Sequence, residues 1–201
     1  MRYGIYRPAV TPDIPIGEMM RYAGMPKCQQ TDLLRQAAIV AEICKKRMIP
    51  SVVYRLLDIV SIERDRVVLE GGICICGSLA STYLSECDGV CVLVGTVGIQ
   101  IDRMIAAYAH RSALEGLLAD AAGSAAIEAV MDDFCHFLSI SYHTKPRISP
   151  GYGDFPLTNQ SVIFSLLDAT KSIGACLNDS LLISPSKSVS ALIGLMGEKH
   201  V

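Results

Sequence analysis

The sequence predicts a single α+β domain over residues 1–201, with a mixed or antiparallel twisted sheet and flanking helices. Three observations predict it. The β-rich runs SVVYRLLDIV and RVVLEGGICICG follow one another with only the polar SIERDR between them, as neighbouring strands do. Helical periodicity stands before and between the strand-like runs without the regular alternation of a doubly wound sheet. At 201 residues and 51% hydrophobic composition, the chain can fill one sizeable core.

Taken in order, CQQTDLLRQAAIVAEICKKRM places Leu33, Leu34, Ala37, Ala38, Ala41 and Cys44 at helical spacing, ends in a basic turn and precedes Pro50. SLASTYLSEC reads as a short helix ended by Asp88 and Gly89. VCVLVGTV is a continuous apolar run, the pattern of a strand buried on both faces. From Ile99 to about Leu138 the pattern is helical, with a joint expected at Gly123 and Ser124. LTNQSVIFSLLDATKSIGACL is a further helix, with Thr158 as candidate N-cap and Gly174 where a closing glycine belongs. SLLISPSKSVSALIGLM reads as two short strands around a turn at Pro185.

Composition narrows the function. A net charge of −2 gives no basic footprint for nucleic acid. No apolar run approaches the roughly 18 residues of a membrane span. The opening MRYGIYRPAV shows no apolar h-region, so the expectation is a cytoplasmic protein. Its eight cysteines include no C-x-x-C pair and read as reduced thiols with no metal role. Cys74 and Cys76 lie in a strand-like run, one expected to face the core and the other away.

Several catalytic patterns are missing. VLVGTVGIQID offers Gly95 and Gly98 after a strand, but without the third glycine of a dinucleotide turn it reads as a structural strand-to-helix connection. The four histidines fall in no metal motif, and no G-x-S-x-G, Walker A or kinase signature occurs. Glu128 stands among Ala125, Ala126, Ile127, Ala129 and Val130, with Asp132 one turn on. It is either a solvated helix residue or an acceptor for a cationic or hydroxylated ligand lying where small alanines leave room.

KPRISPGYGDFP, residues 145–156, holds three prolines and two glycines, which exclude a helix or a central strand. Within it, Arg147-Ile148-Ser149-Pro150-Gly151-Tyr152 resembles the Arg-x-x-x-Gly-Tyr signature of the activation (reactivation) domain of cobalamin-dependent methionine synthase, in its free-standing or split form. GTVGIQIDR, LLADAAGSAAIEAV and PSKSVSALIGL are similar to the same domain, in the same order. The likeness is strongest over residues 90–196 and looser before, where EMMRYAGM and the helix after it carry it.

The resemblance implies an S-adenosylmethionine-binding module that supports reductive methylation of cob(II)alamin on a methionine synthase or related corrinoid protein. It implies that Arg147 holds the ligand's carboxylate or a carbonyl that shapes the site. Ser149, Pro150 and Gly151 would run their backbone along the ligand, Tyr152 would lay its ring against the sulfonium, and Glu128 would match a contacting carboxylate. No acid, base or nucleophile is implied in this chain. Cobalamin would be carried by a partner chain, and a flavodoxin-like donor would supply the electron. The chain has no D-x-H-x-x-G for holding cobalamin itself. The family's best-known form also has an acidic contact near its N-terminus, unplaced here, and a tyrosine beyond the last strand. No tyrosine follows SALIGLMGEKHV, which implies weaker binding or closure by a partner. The alternatives are an independent S-adenosylmethionine-dependent methyltransferase, which needs a glycine-rich turn and a parallel sheet, and a corrinoid-protein interaction module without ligand binding.

Overall fold

The computed structural model describes residues 3–198. In chain order its elements are β1 (Tyr3–Tyr6), α1 (Ile16–Tyr22), α2 (Thr31–Arg47), β2 (Ser51–Ile62), β3 (Arg66–Leu69), β4 (Ile73–Cys76) and α3 (Ser78–Leu84). There follow β5 (Gly89–Thr96), α4 (Ile99–Ala109), α5 (Ala113–Ser141), β6 (Tyr142–Thr144), α6 (Asn159–Leu167), α7 (Ala169–Ile173), β7 (Cys176–Leu177), β8 (Ile183–Ser184) and β9 (Ser188–Glu198). The main sheet runs β4-β3-β2-β5-β9-β6 with β1 also on β2, and each of its strand pairs is antiparallel. The α+β class read from the sequence is the observed one.

Side-chain alternation along β5 divides the core. Cys91 and Leu93 join the helices α1, α2, α4 and α5 on one face, while Val90, Val92 and Val94 join α3, α6 and Phe155 on the other. All eight residues of β5 are buried, as its unbroken apolar run requires. In α2 the buried stripe is Ala37, Val40, Ala41 and Cys44; Ala38, expected among them, lies on the solvent side.

Several expected boundaries move. The helix joint expected at Gly123 falls at His110–Ser112, where the Ser112 Oγ accepts the Glu115 N–H at 3.1 Å and starts α5. Gly123 instead lies buried inside α5, where a Cβ would come within 3.0 Å of Ile101 and Lys187, so its smallness serves packing. The run RVVLEGGICICG is two paired strands, because Gly71 and Gly72 turn the chain at φ 79° and 76°. The 157–177 helix breaks at Asp168, which is left-handed at φ 45°; Gly174 closes α7 as expected. Thr158 makes no side-chain cap; Asn159 beside it makes the side-chain bonds there. Of the two short strands expected around Pro185, β8 pairs with β7 in a small separate sheet, whereas β9 is eleven residues long and lies between β5 and β6.

Cys74 and Cys76 are both exposed, with Ile75 buried between them. Residues two apart in a strand share a face, so the expectation of one in and one out fails. Burial pushes the Cys44 thiol up to about 12 and the Cys91 thiol well above its ordinary range. Iodoacetamide at mildly alkaline pH is therefore expected to label exposed Cys74, Cys76 and Cys176 first and Cys44 and Cys91 last, read by peptide mass spectrometry. Early labelling of Cys91 would contradict its buried place in β5.

Candidate ligand groove

The proline-rich stretch lies on an edge of the main sheet. Lys145 N–H donates to the Gly194 carbonyl at 3.0 Å, and Ile148 exchanges bonds with Leu192 at 3.0 and 2.8 Å. Proline is tolerated on such an edge because no further strand needs its missing N–H. Arg147, between these anchors, reaches α5, where Glu128 and Asp132 stand four residues apart on one face.

Side chains from distant parts of the chain fasten this segment. The Tyr83 hydroxyl donates to the Pro146 carbonyl at 2.7 Å and accepts the Gly194 N–H at 2.9 Å. Burial pushes that phenol up to about 12. Asp154 accepts the Leu79 N–H at 2.7 Å and the Ser78 N–H at 3.1 Å, capping α3 from outside. Its hydrogen bonds with Ser78 and Leu79 hold the carboxyl below its usual range. Asn159, 3% exposed, accepts the Cys76 N–H and donates to the Cys76 and Pro156 carbonyls, each at 2.9 Å. Between the fasteners the chain turns through Gly151, at φ 99°, whose N–H donates to the Phe155 carbonyl at 2.8 Å.

An open groove of about 810 Å³ results, within the ~300–1,000 Å³ typical of small-molecule sites. Arg147, Ser149, Tyr152 and Glu128 line it together with Leu79, Cys135, Lys145 and Val189. The Arg147 side chain is 22% exposed; it pairs with Asp132 at 2.9 Å and with Glu128. Burial works against its charge, but the bond to Asp132 and the attraction of Glu128 outweigh that and raise its pKa above the ordinary value. Tyr152 stands 70% exposed at the groove's mouth.

Four of the six residues singled out by sequence thus line one groove. Pro150 and Gly151 do not; buried Pro150 and left-handed Gly151 shape the turn beside it. Sequence reasoning put Asp132 on the Glu128 face without pairing it with Arg147, and it missed Lys145 and Leu79. The four-residue spacing of Glu128 and Asp132 was the available signal for an arginine partner.

Gly77 is the tightest joint in this arrangement. It has φ 118°, and a Cβ there would sit 2.5 Å from the Asp154 carbonyl oxygen and 2.9 Å from Pro156. Gly77→Ala is therefore expected to displace the 151–156 turn and to destabilise the protein by about 1–3 kcal/mol, the cost of a strained backbone position. Denaturant titration checks it, and an unchanged midpoint would show that the turn shifts freely.

No family model matches the chain, and no curated protein does. Among solved structures it is similar to the MetH reactivation domain in a crystal structure bound to AdoHcy, with a TM-score of 0.69 and 15% identity. The match covers 100% of this chain and 81% of that one. The fold is that of the MetH reactivation domain. The fold match therefore includes the first ninety residues, where the sequence resemblance is loose.

Proposed function

We propose that the chain is an S-adenosylmethionine-binding module that supports the reductive methylation of cob(II)alamin on a cobalamin-dependent methionine synthase or related corrinoid protein. The observation that carries this reading is Arg147, held between Glu128 and Asp132 on the wall of the 810 Å³ groove, in the fold of a domain solved with AdoHcy. The residues fit an amino-acid zwitterion attached to a sulfonium. The guanidinium fork suits the ligand's carboxylate, and the two α5 carboxylates suit its ammonium. The exposed Tyr152 ring offers the sulfonium an aromatic face. Ser149 and the stiff turn through Pro150 and Gly151 give a preorganised wall, which limits the entropy lost on binding.

When bound, S-adenosylmethionine supplies an electrophilic methyl group. The chain's own residues act by position, holding that methyl group towards a corrinoid carried by a partner and kept reduced by a flavodoxin-like donor. The antiparallel sheet argues against an independent methyltransferase of the doubly wound kind, which is built on a parallel one.

Two measurements test the proposal. Calorimetric titration should show S-adenosylmethionine binding, and no heat under any buffer would remove the ligand site and leave only an interaction module. The chain should also convert the cob(II) absorbance of a cobalamin-loaded methionine synthase lacking its own reactivation domain, given S-adenosylmethionine and a low-potential reductant, towards methylcob(III)alamin. Glu128→Ala and Tyr152→Ala should slow this trace without loss of folded protein. A flat trace despite proven ligand binding would sink the reactivation role.

A further inference from the structure

The edge segment carries one residue too many for its ladder. Lys145 is hydrogen-bonded to Gly194 and Ile148 to Leu192, so Pro146 and Arg147 together oppose Ile193 alone. That is a bulge on the edge chain. In a regular strand Lys145 and Arg147, two residues apart, would share a face. Here they part. The Lys145 ammonium donates to the Tyr83 carbonyl at 3.0 Å and pairs with Glu86 at 3.2 Å, whereas Arg147 reaches Glu128 and Asp132 on α5. Tyr83 belongs to α3, and α3 and α5 cover opposite faces of the sheet. The extra residue is therefore what brings Arg147 to the α5 side.

A bulge disrupts the ladder, and the backbone groups it separates need other partners. The Tyr83 hydroxyl supplies them, accepting the Gly194 N–H at 2.9 Å and donating to the Pro146 carbonyl at 2.7 Å. Gly194 makes room for this approach. A Cβ there would lie 2.6 Å from the Cys87 Sγ and 3.4 Å from Leu84, forcing the end of α3 off the sheet. We infer that Tyr83 is a positioning residue whose hydroxyl, set into the ladder, holds the bulge that turns Arg147 to the α5 face and into the groove. Tyr83 itself is not among the residues lining the groove, so it acts through Arg147. Without the hydroxyl, the bulge loses ground to the regular register, which would pair Arg147 with Leu192 and aim it at α3. The effect on ligand affinity rests on the S-adenosylmethionine reading; the effect on Arg147 does not.

The test is Tyr83→Phe in the full chain, which keeps the ring and removes only the hydroxyl. In protein carrying isotope-labelled arginine, the Arg147 Nε–H resonance is assigned by its loss in Arg147→Ala. It should shift or broaden in Tyr83→Phe without ligand, and the Gly194 amide should exchange faster. Tyr3→Phe, which removes a hydroxyl bonded to Ser172 on α7, should leave the Arg147 resonance in place. Calorimetric titration should show S-adenosylmethionine bound about fivefold more weakly by Tyr83→Phe, the size of one hydrogen bond. Added to Arg147→Ala, the same change should cost nothing further, because the two act as a unit. An unmoved Arg147 resonance overturns the inference whatever the affinities. An equal loss of affinity in the Arg147→Ala background overturns it too, since Tyr83 would then act on the groove wall as a whole. If the parent binds no S-adenosylmethionine, the ligand reading fails, and the Arg147 resonance alone decides the inference.

Discussion

Arg147→Ala is expected to weaken S-adenosylmethionine binding by about 1.5–3 kcal/mol, roughly 10- to 150-fold, the range for a hydrogen bond to a charged group. The fold should survive the change. Its partners Glu128 and Asp132 are 41% and 73% exposed, so each carboxylate can be hydrated once the guanidinium is gone. Arg147→Lys keeps the charge but loses the planar fork, and should fall between parent and alanine. Titration calorimetry beside a thermal melt separates the two effects. Equal affinity of parent and alanine variant would show that Arg147 ties α5 to the sheet edge and does not touch the ligand.

Phe155→Ala should give the largest loss of stability, about 3–5 kcal/mol, because it removes a fully buried ring. The side chain is 0% exposed and belongs to the core cluster beneath α3 and α6. Its backbone also closes the turn, accepting from Gly151 at 2.8 Å and donating to the Tyr152 carbonyl at 2.9 Å. Loss of the ring frees the segment that carries Tyr152, so ligand affinity should drop even where the variant remains folded. Denaturant unfolding gives the stability loss, hydrogen exchange at residues 151–155 reads the freed segment, and titration calorimetry with S-adenosylmethionine gives the affinity. A loss below about 1 kcal/mol would mean that the turn is held by Asp154 and Asn159 instead.

The unbroken apolar run of β5, most of the α2 stripe and the closing Gly174 were legible because each is a property of a few consecutive residues. The segment 145–156 was legible for the same reason: prolines and glycines at those spacings permit few conformations. The sequence by itself therefore determined the α+β class and marked Arg147, Ser149, Pro150, Gly151, Tyr152 and Glu128 as candidates for one site, of which all but Pro150 and Gly151 line the groove.

Only the tertiary structure decided where helices break and what the candidates touch. Gly123 looked like a helix joint, yet a helix tolerates glycine where a neighbour comes close, and Ile101 and Lys187 do so here. Asp154, Asn159 and Tyr83 carried no local mark of their roles. Asn159 meets Cys76 across 83 residues, Asp154 meets Ser78 across 76, and Tyr83 meets Gly194 across 111. Such pairings depend on how the two faces of the sheet are covered, so the groove exists only once α3, α5 and the sheet edge have packed together.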